Sequence, residues 1–350
     1  MCFMYENRLL CYDNGRVMVL HDGKMEKEIS IPTSGWERVC GMSRRLARLL
    51  RLGVRIALPL SDDRAIIYIR ERLCEVDLTQ GTVSAGWFCG TGVRPLILTM
   101  VKGIDGFCDG VYFGGYLGNS KKRPVSIYHR DGADHWEIVY TFPEGVINHV
   151  HNIVSDHYRQ CLWIFTGDFG ESAAIWKVTG GFDNVECIAC NNQMYRGCVA
   201  YALPEGLLYA TDAPFAENFI YLMDTETYDV RRIFPMHGSC IYGCCWKDNY
   251  VFSSTVEGDG RNMSRMEFLF TRKLGMGIKD KYVHMYVGNL TEGFREIYRE
   301  KKDGLPLYTF QFGVFKFPYG SNDTDTLFFQ PVATKRNDMK LMSLKESDIK

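Results

Sequence analysis

In the stretch NHVHNIVSDHYRQCLWIFTGD, residues 148–168, two histidines stand two apart and an aspartate follows a glycine at the far end of an apolar run. Imidazole carries protons near neutral pH and ligates transition metals. A carboxylate beside it completes either an acid–base pair or a metal site. Side chains alternate along a β-strand, so His149 and His151 point to one side if this stretch is extended. Two further acids recur at matched spacing: Asp212 closes GLLYATD and Glu257 closes NYVFSSTVE, at intervals of 44 and 45 residues. Gln193 and Arg196 lie in QMYRG, and Gln311 in FQFG.

This polar set suits three kinds of chemistry. Asp168, Asp212 and Glu257 can act as acid and base across a glycosidic bond, with His149 and His151 as bases. The two histidines can instead hold a divalent metal, zinc or manganese. Or the polar groups can hydrogen-bond sugar hydroxyls, Gln193, Arg196 and Gln311 among them, beside the rings of Trp163, Trp176, Tyr195, Phe215 and Trp246.

Any of these requires a fold that gathers the residues. LWIFTGD, GLLYATD and NYVFSSTVE are short β-branched or aromatic runs that each end in an acid. Ahead of them stand NHVHNIVSD, YRGCVAYAL and GSCIYGCCW, and behind the first two come paired runs separated by turn residues. A β repeat of this length is the signature of four-stranded propeller blades. Weaker copies cover about 94–145 and about 38–90. The expectation is an all-β chain forming one β-propeller domain over 1–350. Six blades are favoured, with a seventh if the N-terminal strands make a blade of their own. The C-terminal runs YTFQFGVFKFPYG, DTLFFQPVAT and MKLMSL lack a fourth strand, which RVMVLHDGKMEKEISIP would supply, closing the ring with N- and C-terminal strands.

One basic insertion interrupts the pattern at about 44–55. RRLARLLRLGVR carries Arg44, Arg45, Arg48, Arg51 and Arg55 among leucines at helical spacing. Its leucines are expected to pack on a blade with the arginines in solvent; the alternatives are an anion-binding wall or contact with a membrane surface. The bulk charge is −1, which calls for no nucleic-acid partner. Thirteen cysteines, an odd number, fit a reducing compartment, and no secretion signal or long apolar run is visible, so a cytoplasmic location is expected. The CIAC at Cys187–Cys190 has redox or zinc spacing without a second pair, and reads as strand-buried thiols.

The runs HVHNIVSDHYRQCLWIFTGD, QMYRG, YATDAP, NFIYLMD, STVEG and FQFGVFKFPYG together resemble a bacterial family of sialidase-like propellers related to the BNR or Asp-box proteins. The resemblance implies a propeller in a glycan or exopolysaccharide context and specifies little about reaction. HRDGADHW keeps the Asp131–Trp136 separation of an Asp-box but has His129 in place of its serine, and Ser30 stands where sialidases carry an arginine. A lyase version is similar to the oligogalacturonate lyases, in which Gln193 or Gln311 would join histidines around a metal. The expected function is a carbohydrate-active enzyme, a glycoside hydrolase or polysaccharide lyase acting on a carbohydrate or glycan intermediate. The alternative is a propeller that binds a glycan or protein and does no chemistry.

Overall fold

A computed structural model describes residues 1–4 and 8–349. Among these residues the strands form seven antiparallel sheets, the blades of a β-propeller, over 2–30, 56–88, 99–142, 149–189, 197–235, 240–301 and 314–345. Seven blades stand where six were favoured, and the reason is local. The Asn14–Gly15 turn, with φ of 38° and 87°, folds Leu9–Asp13 directly against Arg16–His21. That is the left-handed geometry a two-residue hairpin requires. The N-terminal strands therefore complete their own four-stranded blade, and the last blade stays three-stranded instead of borrowing one of them.

The chain divides into two compact units. The first comprises Met1–Arg70, Cys74–Ala85 and His237–Lys350; the second comprises Glu71–Leu73 and Gly86–Met236. In the second unit the third and fourth blades pack through Tyr112, Ile127, Phe142, Val150, Leu162 and Ile164. The fourth and fifth pack through Trp163, Phe165, Ile175, Leu207 and Tyr209. The strand Cys161–Gly167 thus offers Leu162 and Ile164 to one neighbour and Trp163 and Phe165 to the other, and all seven of its residues are buried. Burial on both faces is why LWIF reads as a continuous apolar run without alternation.

The first unit holds equivalent cores, Val17, Ile67 and Val76 in one and Val251, Met285, Phe315 and Phe329 in another. It also carries three short helices: α1 (Gly35–Gly41), α2 (Arg44–Leu49) and α3 (Arg265–Phe270). The helical spacing of 44–55 is realised in α2, where Arg44 and Arg45 are exposed as expected and Arg48 and the leucines depart from the expectation. Arg48 is buried and ion-paired to Asp303 at 2.6 Å and Asp338 at 2.8 Å, while Leu46, Leu49 and Leu50 are exposed. Arg48 is therefore withdrawn from any membrane-facing set. The CIAC thiols also differ from expectation. Cys187 and Cys190 are exposed, because Asn184–Ala189 is the fourth strand of its blade and no further strand covers it. No helix among the described residues is long and apolar enough to cross a membrane.

Candidate functional site

The second unit gathers six of the expected residues, His149, His151, Asp168, Gln193, Arg196 and Asp212, and repeated irregularities in its strands place the histidines. Along His149–Asp156, Val150 pairs with Thr166 and Asn152 with Phe165, so His151 sits in a bulge. The next blade repeats the device: Gly197 pairs with Thr211 and Val199 with Ala210, leaving Cys198 in the bulge. A bulge re-aims one side chain without ending the strand. Gly167 makes the room, since a Cβ there would lie 2.4 Å from Cε1 and Nε2 of His151.

The two imidazoles face each other. His149 Nδ1 donates to the Leu117 carbonyl at 2.9 Å and His151 Nδ1 to the Gly197 carbonyl at 3.2 Å, because a carbonyl can only accept. Their Nε2 atoms, 3.0 Å apart, would then present lone pair to lone pair. Something positive must lie between them, either one shared proton or one cation. Histidines that ligate metals hold their other nitrogen on a carbonyl or carboxylate, as both do here. At the usual distance of about 2.1 Å, two nitrogens this far apart subtend about 90° at a shared ion. Tyr116 backs the pair, its ring 4.3 Å from that of His149.

Asp168 stands at the edge of the pair, with Oδ1 3.4 Å from His149 Nε2 and its side chain 35% exposed. Arg196 Nη2 lies 3.3 Å from Asp168 Oδ1 and 3.3 Å from Asp212 Oδ2, so one nitrogen bridges the two carboxyls. Their environments push them apart. Burial alone would raise Asp168, but the positive charge held at the His149–His151 pair, with Arg196, reverses this and holds it well below the usual carboxylate range. Burial raises Asp212, and Arg196 and Cys198 only partly oppose that. Burial, followed by the charges of His149 and Arg196, lowers His151. One carboxyl is thus held ionised and its neighbour biased toward the neutral acid.

Gln193 Nε2 donates to the Asp168 carbonyl at 3.0 Å. Its Oε1, like Asp212 Oδ1, is buried without a hydrogen-bond partner among the described residues. Such atoms are costly to leave unpaired and mark where a ligand group or water is expected. Glu257 and Gln311 are members of the first unit. There Ser239 Oγ donates to Glu257 Oε2 at 2.9 Å, and Gln311 Nε2 donates to the Arg48 carbonyl at 3.0 Å.

Sequence reasoning missed several members of the site. Cys198 donates its thiol to Asp212 Oδ2 at 3.4 Å, and its signal was its alignment with His151 in the blade repeat. Phe169 lies under the Arg196 guanidinium, 5.2 Å from it, stacks on Phe215 at 5.8 Å, and is half exposed. It was legible only as the residue after the acid.

A second histidine cluster lies in the first unit. His284 Nδ1 faces Glu296 at 2.8 Å and Nε2 faces both oxygens of Asp280 at 3.1 Å, while its ring stacks on that of His237 at 4.1 Å and 14°. Both nitrogens of His284 are taken by carboxylates, while one ligand atom each of His237, Asp280 and His284 falls within 4.8 Å of the others. With its hydrogen bonds satisfied within the protein, the cluster reads as a structural network around a buried His284.

No protein-family model matches the chain, and no curated protein matches it. Solved structures do. A prolyl endopeptidase is similar over 98% of this chain and 48% of its own, with a TM-score of 0.54 at 11% identity. A chain of the mitotic checkpoint complex is similar over 98% of this chain and 88% of its own, with a TM-score of 0.53 at 9% identity. The tricorn protease is similar over 85% of this chain at a TM-score of 0.46 and 10% identity, and this chain spans only 25% of its length. Likeness at such identity speaks to the propeller fold alone.

Proposed function

We propose that the second unit carries the reaction centre of a carbohydrate-active enzyme, a glycoside hydrolase or polysaccharide lyase, in which His149, His151 and Asp168 hold a divalent metal ion. The facing Nε2 atoms, with both Nδ1 atoms committed to backbone carbonyls, carry this reading. One nitrogen from each histidine and one Asp168 oxygen fall within 4.8 Å of one another. When bound, the ion supplies Lewis-acid polarisation of a sugar oxygen.

The chain's own residues do the rest. Asp168 stays ionised and part-exposed, and holds its negative charge at the edge of the histidine pair. Arg196 fixes the spacing of Asp168 and Asp212 and is a positioning residue, since its ion pairs are with those two acids. Gln193 offers Oε1 to a hydroxyl donor. The half-exposed Phe169 offers apolar surface against which a sugar ring could pack.

A metal-free glycan-binding propeller is the second reading, and Arg196 favours it. Its guanidinium lies 3.3 Å from the oxygen an ion would use, and it would oppose a second cation. The test is metal content by plasma mass spectrometry of the purified protein, alongside His149→Ala and Asp168→Ala. Near-stoichiometric zinc or manganese, lost in both variants while they remain folded, is the expected result. Metal-free protein that stays so after incubation with either ion would leave the binding reading in its place. If metal is bound, release of unsaturated sugars from acidic polysaccharides would separate lyase from hydrolase.

A further inference from the structure

The helices of the first unit contradict the rule that short helices are held by a buried apolar face. Neither α1 nor α3 has a buried residue. Both are started by a serine–glutamate box, in which the Ser34 amide donates to Glu37 and the Ser264 amide to Glu267. Their large apolar side chains face outward: Trp36 is 57% exposed and Met42 80%, in and just after α1, and Met266 is 63% and Phe270 59% in α3. Leu46, Leu49 and Leu50 extend the exposed set through α2.

Segments more than 200 residues apart in sequence are brought to the same stretch of chain, 307–311. From one side, Arg51 donates to the Tyr308 carbonyl at 2.9 Å and Arg48 Nε to the Phe310 carbonyl at 3.0 Å. From the other, Phe268 stacks on Tyr308 at 4.0 Å, and the Thr309 hydroxyl donates to the Leu269 carbonyl. The Leu307 amide adds a bond to the Thr271 carbonyl at 3.0 Å. An apolar surface assembled from several elements in this way marks an interaction site.

The charge on this surface identifies what covers it. In segments 35–55 and 261–279 the only acidic residues are Glu37 and Glu267, and both are engaged at helix N-termini. Every other charged residue there is basic, and Arg44, Arg45, Arg265 and Arg272 are exposed. Outward Trp, Phe, Met and Leu among arginines, with no free acid, match an anionic bilayer surface, where the rings enter the interface and the arginines meet lipid headgroups.

We propose that α1, α2 and α3 form a peripheral attachment face that seats this protein on an anionic membrane. The test is co-sedimentation of the full chain with phosphatidylserine-containing vesicles and with pure phosphatidylcholine vesicles. Two paired variants accompany it, Met266→Ser/Phe270→Ser and Arg44→Glu/Arg45→Glu. All four positions are exposed, so the variants are expected to melt with the parent, as checked by circular dichroism. The parent is expected to pellet with the anionic vesicles, less so at high salt, and each pair to lower partitioning by more than about tenfold. Three results would overturn the proposal: no pelleting beyond the phosphatidylcholine control, pelleting that survives both pairs, or a dimer in solution that either pair dissociates, which would make a second copy the occupant.

Discussion

Asp168 and Asp212 share one arginine nitrogen, yet they contribute to stability in opposite directions. Asp168 has its carboxyl lowered on folding, so its stabilisation is present above about pH 4 and is lost as pH falls through the folded value. Asp212 is raised on folding, so it carries a penalty that is absent in acid and grows as pH rises above about 4. Asp168→Asn is therefore expected to lower stability at pH 7 by about 1 kcal/mol, a figure reduced for its partial exposure. It should also flatten the loss of stability in acid. Asp212→Asn should be neutral or stabilising at pH 7, because the amide oxygen can replace Oδ2 toward Arg196 and Cys198. Urea denaturation at about pH 2.5, 4 and 7 measures both, and equal losses for the two variants at pH 7 would contradict the split. The chemistry-bearing residue types were legible from sequence: the pair His149 and His151, and Asp168 in register with Asp212. Their pairing through Arg196 was not, because it depends on which rotamer a long side chain adopts between two blades.

At the scale of the strand, the bulge that turns His151 inward works only with Gly167 opposite. Gly167→Ala is expected to displace the His151 ring and remove metal binding as fully as His151→Ala does, with metal content as the readout. Retained metal in the alanine variant would show that the ring has room to move. The other end of the same blade is held by Asp156. It is fully buried and accepts from the amides of Tyr158 and Arg159, from the Arg159 side chain and from Trp163 Nε1 at 2.8 Å. Asp156→Ala strands four donors and is expected to cost about 3–4 kcal/mol, seen as a lower urea midpoint with unchanged slope. The strands were readable because apolar runs buried on two faces need no tertiary information. The bulges were not, since a residue inserted in one strand leaves composition unchanged. The burial of Arg48 in α2 was missed for a related reason. The two carboxylates that bury Arg48 lie 255 and 290 residues away in sequence, beyond the reach of any local pattern.

At the scale of the chain, the 44–45-residue spacing exposed the blades over 149–301 because these repeat both strand pattern and terminal acid. The N-terminal strands repeat neither, and the short hairpin at Asn14–Gly15, which gives them their own blade, was outweighed by the three-stranded C-terminal set that seemed to need a partner. The division into two units adds something that no repeat length contains. The second unit is almost one continuous stretch, Gly86–Met236, whereas the first is assembled from segments on both sides of it. As the chain leaves the ribosome, the unit bearing the histidine pair has nearly all its sequence available while the first unit still lacks His237–Lys350. The first unit's early strands by then hold their own sheet partners and the core of Val17, Ile67 and Val76, and what they await is the pair of blades over 240–301 and 314–345.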